Sequence, residues 1–105
     1  VRLFRRKVDI TAQRNALFSD AKARLPELKR FYEPAHEQIE PQIEYLLAVN
    51  DGRLAGDRLE AITIGVIAAK WLDPCPDQFE FLFAVADEAQ QMATEYKRAR
   101  NAQTH

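Results

Sequence analysis

The chain has 105 residues, which suits one domain, with 47% apolar residues to build a core and 30% charged residues to solvate it. Fifteen basic residues stand against sixteen acidic ones, and the net charge of -1 disfavours a nucleic-acid binder that relies on a positive surface. The single cysteine, Cys75, excludes an internal disulfide, and no apolar run reaches the roughly twenty residues of a membrane span. No leader-like segment stands out and the lone thiol allows a reducing compartment; a cytoplasmic location is the expectation, with a targeting segment before Val1 left open.

Residues 1–7 gather Arg2, Arg5, Arg6 and Lys7 around Leu3 and Phe4. They read as a frayed, solvated end, with a phosphate-touching basic arm as the alternative. A first helix is predicted from about Asp9 to Arg24, capped by Asp9 or Thr11. Ile10, Leu17, Ala21 and Leu25 lie on one face and Phe18 widens it. Leu25-Pro26 should interrupt it, leaving a further turn or two over residues 27–32.

A second helix should start at Glu33-Pro34, where proline is tolerated in the first turn, and run to about Val49. Ile39, Ile43, Leu46 and Leu47 supply its buried face, and Pro41 predicts a kink or a break. If the helix is continuous, Glu33, Glu37, Glu40 and Glu44 form an acidic line. That line is either an ordinary solvated face or a patch for a basic partner, whose binding would offset the like-charge repulsion along it. The stretch NDGRLAG, residues 50–56, carries strong turn chemistry.

Residues 57–72 are apolar nearly all round, which predicts a buried central helix wrapped by the others. Leu59, Ile62, Val66 and Ala69 share one line, and Ala61, Ile64, Ile67, Ala68, Trp71 and Leu72 cover most of the rest. Asp57 and Glu60 stand at capping-box spacing, and Asp73-Pro74-Cys75-Pro76 ends the segment. Gly65 costs about 1 kcal/mol in mid-helix, which points to close approach of another helix. The last helix is predicted from about Pro76 to Arg100, with a core stripe of Phe79, Leu82, Phe83, Ala86, Ala89, Ala93 and Tyr96. Phe81, Val85 and Met92 fall off that stripe and either widen the core or form an exposed strip. Residues 101–105 should fray. The expected fold is all-α: one domain, a compact antiparallel bundle of about four helices.

Chemistry is sparse. Glu33-x-x-His36 has the spacing of carboxylate-bridged bundles, but the only other histidine is His105, so no metal site is expected. Cys75 beside a helix start should have a lowered pKa, and a Cys75–His36 pair is the one nucleophile arrangement available. No phosphate loop or hydrolase elbow occurs, so neither an enzyme nor a cofactor is expected. A helix-turn-helix reading fails because the would-be recognition helix is apolar.

Gln42-Ile43-Glu44-Tyr45, a polar loop, then Ile62 to Lys70, Asp73 and a proline before Phe79 form a recognisable block. Its most telling part is Thr63-x-Gly65-x-Ile67-Ala68-x-Lys70-x-x-Asp73. The block resembles the immunity proteins that protect bacteria against NAD(P)+ glycohydrolase toxins delivered by type VI secretion. The likeness covers about half of the chain, from Gln42 to Gln90; residues 1–40 match loosely through Ala16-Leu17-x-x-Asp20. The prolines around Asp73 and the length of the loop before the third helix differ from the family. The resemblance implies a small helical protein that binds a cognate toxin domain and blocks its active site; a related ADP-ribosyl-transferring toxin fits the same role.

The residues expected to meet such a toxin are Glu37, Glu40 and Glu44 with Asp51, chosen for the acidic line. Lys70 and Asp73 are candidate contacts at the helix end. A homodimer stands beside this reading, and two alternatives remain. One is a regulatory or assembly module that self-associates through Phe81, Val85 and Met92. The other is a small helical enzyme with a buried site.

Overall fold

Four α-helices and two short 3-10 turns make up the regular backbone of the described residues. The structure is a computed structural model that describes the backbone of residues 2–103 and the side chains of residues 10–102. Helix α1 is Arg2–Phe31, α2 is Glu33–Asn50, α3 is Ile64–Trp71 and α4 is Phe81–Gln103; the 3-10 turns are Leu59–Ala61 and Asp77–Phe79. No described helix is long and apolar enough to cross a membrane. The fold is all-α, as the apolar periodicity predicts.

The bundle is antiparallel, and named contacts give the directions. The Asn50 side-chain amide donates to the Thr11 carbonyl at 3.0 Å, and Lys22 pairs with Glu44 at 3.0 Å, so α1 and α2 run oppositely. Arg14 reaches Glu88 and Glu95 while Arg24 lies over the Phe81 ring, so α1 and α4 also run oppositely. Helix α3 packs against both α2 and α4.

Helix α1 passes through Pro26 without the predicted break. Proline removes one amide and frees the carbonyl four residues back. Pro26 and Lys22 are both exposed, so that carbonyl can be hydrated, while Leu25 and Leu28 on either side are buried. The same holds at Pro41 in α2: it and Glu37 are exposed, and the helix runs on. Helix α1 also extends back to Arg2, where a frayed end is expected; the side chains of that basic stretch, Val1, and residues 104 and 105 lie outside the described residues.

Segment 57–72 is the largest departure from the sequence expectation. It is a 3-10 turn, a two-residue break and an eight-residue helix, not one long helix. Two side chains of α2 fix the segment, Gln42 at the break and Tyr45 at the entry. The Gln42 side-chain oxygen accepts from the Thr63 amide at 2.7 Å, while its nitrogen donates to the Thr63 hydroxyl at 2.9 Å. The Tyr45 hydroxyl accepts from the Arg58 amide at 2.9 Å and donates to the Ala55 carbonyl at 2.7 Å. The Thr63 amide, which a continuous helix would use, is thereby satisfied from outside, whereas the Arg58 amide lies in the first turn, where a helix offers it no partner. Asp57 does not cap: Arg58 and Thr63 occupy the two cap positions, neither with a side-chain capping bond. Nor is the segment wrapped on all sides. Leu59, Ile64, Ile67, Ala68 and Leu72 are buried, whereas Val66 is 53% and Trp71 44% exposed.

Helix α4 begins at Phe81, after the 3-10 turn, and not at Pro76. Its buried residues are Leu82, Val85, Ala89 and Met92, while Phe83 is exposed and Ala86, Ala93 and Tyr96 are half-buried. The four buried residues lie within an arc of about 80°, and the half-buried Ala86 and Ala93 flank it on the side where α4 meets α3 and the first 3-10 turn. Phe81 packs partly buried beside that core, so the strip of Phe81, Val85 and Met92 is not an exposed face.

Gly65 allows the close approach inferred from sequence: a Cβ built there would lie 3.1 Å from the Ala86 Cβ. Both atoms belong to helices that cannot shift independently. Gly65→Val is therefore expected to lose about 1–3 kcal/mol by overpacking, read from urea denaturation.

Arg14 is the one polar residue among the buried side chains of the described residues. It continues the line of Phe18, Ala21, Leu25 and Leu28 and clamps α1 to α4. Its Nε donates to Glu88 at 2.8 Å, and its two terminal nitrogens donate to Glu95 at 3.0 and 2.7 Å. The hydrogen bond from Arg14 holds the Glu95 carboxyl below its ordinary pKa, against an opposing effect of partial burial. A depressed carboxylate contributes stability that is complete above its unfolded pKa and is lost as the pH falls through the folded one. Arg14→Met should thus cost about 1–2 kcal/mol near neutral pH, a figure discounted for the half-exposed Glu95. The gap in melting temperature between wild type and variant should narrow as the pH drops below the carboxylate range.

Candidate interaction surface

Because α2 is unbroken, Glu33, Glu37, Glu40 and Glu44 do form a line. All four are exposed, and at helical spacing they fall within an arc of about 60°. Asp51 caps the C-terminal end of α2 and continues that line, which spans about 27 Å from Glu33. The carboxylates are not equivalent. Glu44 is engaged by Lys22 at 3.0 Å, Glu40 by the His36 ring at 3.4 Å, and Asp51 by Arg53 at 2.7 Å. Glu37 forms no ion pair among the described residues. The same is true of Glu33, so these two are the line's most available charges.

Lys70 and Asp73 are both exposed, one in the last turn of α3 and one just beyond it. Neither lies on α2, but the structure brings their end of α3 to the start of the acidic line. The Trp71 ring, between them in the chain, meets Tyr32 edge-on with centroids 6.2 Å apart, and Tyr32 directly precedes Glu33. Asp51 lies at the far end of the line. Asp73 precedes a cis proline, Pro74.

Trp71 belongs to a feature that the sequence reading assigned to the core. Phe31 is 52% exposed and Tyr32 42% exposed, at the corner where α1 turns into α2. Phe31 packs on buried Phe79 with centroids 5.1 Å apart. The corner forms because Tyr32 adopts an extended backbone between two helices, which swings its ring outward. Two adjacent aromatics at a helix break were the available signal. Lone exposed apolar residues are ordinary, but grouped aromatics beside charged residues have the composition of a protein interface.

The reactive candidates do not assemble. The Cys75 thiol is half-buried against the core and hydrogen-bonds the carbonyl of the neighbouring Pro76, at 3.6 Å. Burial, then the carboxylates of Glu80 and Asp77, push its pKa up, the opposite of the lowering expected beside a helix start. His36 faces Glu40 and forms no hydrogen bond to the thiol. Among the described residues no group of three or more His, Cys, Asp or Glu side chains is arranged to hold a metal ion.

Set against known proteins, the chain matches no family model, no curated protein and no solved structure.

Proposed function

We propose that this chain is an immunity-type inhibitor, acting in the cytoplasm of a producing bacterium by occupying the active site of a cognate NAD(P)+ glycohydrolase toxin. The observation that carries the proposal is one surface: the exposed aromatic corner of Phe31, Tyr32 and Trp71 runs directly into the acidic line of α2. Together they offer apolar anchors and an acidic flank. An enzyme that binds a dinucleotide needs positive charge around the phosphates, and carboxylates presented there compete for it. The aromatic rings supply the desolvated contact that makes such competition tight. Inhibition by occupancy requires a rigid shaped face and no nucleophile, in keeping with the inactive surroundings of Cys75.

The block that resembles the immunity family supports this reading from a different side. Gln42, Tyr45 and Thr63 use their side chains to pin the connection before α3 onto α2. Gly65 sets the spacing of α3 and α4. These residues are scaffold, and they hold Trp71 against the start of the acidic line.

The test is capture of partners from the source bacterium with the tagged full chain, followed by assay of each for NAD(P)+ hydrolysis. A captured domain whose hydrolysis stops at one equivalent of this protein supports the reading. Partners without that activity, or activity untouched by stoichiometric protein, would refute it.

A further inference from the structure

Helix α3 has 8 residues and α4 has 23, so α4 runs about 22 Å beyond what α3 can cover. The first 3-10 turn covers part of that length. Between these elements lies an open groove of about 710 Å³. One wall carries Glu60, Ile62 and Val66; the other is α4, with Ala86 and Ala93 in the hollow and Lys97 and Arg98 on the rim. Val66, at 53% exposure, stands out from the first wall, and Phe83, at 37%, lies one turn before Ala86 on the second. The walls differ in charge: an adjoining smaller cavity adds Asp57 to the side of Glu60 and Arg100 to the side of Lys97. Glu60 and Lys97 meet across the opening at 3.4 Å, but both side chains are about two-thirds exposed, so the pair is weak and free to exchange.

We infer that this groove is a self-association surface, occupied by a second copy of the chain packed face to face about a two-fold axis along the groove. That operation sets the acidic wall of each copy on the basic wall of the other. It also sets each Val66 opposite the hollow of small side chains at Ala86 and Ala93. Both matches occur twice, once in each direction. A foreign segment of a single charge sign would be attracted by one wall and repelled by the other, whereas a second copy satisfies both. The surface uses no residue of α2, so it is independent of the inhibitor reading and compatible with it. It also moves self-association away from the buried Val85 and Met92.

The test is sedimentation velocity on the full chain, up to roughly 100 µM, where an interface of micromolar affinity is filled. Wild type should dimerise. Val66→Arg changes an exposed position and should weaken the dimer at least about thirtyfold, the scale of a central interface residue. Two further variants change only exposed residues: Asp57→Lys with Glu60→Lys, and Lys97→Glu with Arg98→Glu. Each should be monomeric alone, with helix content retained by circular dichroism, and an equimolar mixture should recover a heterodimer. A wild type that stays monomeric over the whole range would overturn the proposal, as would a dimer unaffected by Val66→Arg. So would a mixture that stays monomeric.

Discussion

Phe79→Ala is expected to lower the stability of the fold by about 3–5 kcal/mol, the usual cost of removing a buried phenylalanine. Phe79 is 1% exposed and sits in the second 3-10 turn, where the chain leaves α3 for α4. Its ring fills the space between that turn and the end of α1, against Phe31. No helix there can close the gap alone, because Asp77–Phe79 is held by short-range bonds to Pro76 and Asp77 and not by a helical ladder. Relaxation has one route: Phe31 is half-exposed and can swing inward, which places the loss toward the lower end of the range. The melting temperature should fall by more than about 10 °C. Phe31→Ala alone should cost much less, and a double-mutant cycle should return a coupling of about 0.5–1.5 kcal/mol. A loss below about 1 kcal/mol for Phe79→Ala would mean that the turn is not packed as described.

The fold class was legible in the sequence because apolar spacing survives local disturbance. Pro26 and Pro41 look like helix breakers, yet each falls on a solvated face, and what decides continuity is burial on the opposite side of the turn. Facing is not encoded in the residue itself. Residues 57–72 show the converse. Their apolar run reads as one helix, but Gln42, distant in sequence, competes for the amide at Thr63 and divides it. A hydrogen bond across that separation leaves no periodic trace. Arg14 was hidden for a simpler reason: a charged residue on the line of Phe18 and Leu25 looks like the end of a stripe, and its partners lie on α4. Of the candidate surface, the acidic line was visible as spacing on one helix. The aromatic corner was not, because it needs Trp71 to come back beside Tyr32, a tertiary fact.

Reversing the acidic line is expected to weaken binding of the proposed toxin partner by about a hundredfold or more in the combined variant Glu37→Lys, Glu40→Lys, Glu44→Lys. The three changes should not contribute equally. Glu44 is paired with Lys22 and Glu40 lies 3.4 Å from the His36 ring, whereas Glu37 has no ion pair among the described residues. Glu37→Lys should therefore carry the largest single effect. Stability should change little, since all three positions are exposed: reversal makes the 33/37 pair attractive but keeps like charges at 37, 40 and 44 and sets a cation beside Lys22. The kinetics separate the two halves of the surface. Exposed charges act mostly on encounter, so the reversal should slow association and flatten its dependence on salt. Trp71→Ala removes a desolvated anchor and should instead speed dissociation, by about thirtyfold on the scale of an interface hot spot. Surface plasmon resonance against the captured toxin domain reads both rates. If the triple variant binds with unchanged association rate and salt dependence, the acidic line is an ordinary solvated face. If Trp71→Ala also leaves dissociation unchanged, the aromatic corner is outside the contact and the inhibitory face must lie on other elements of the bundle.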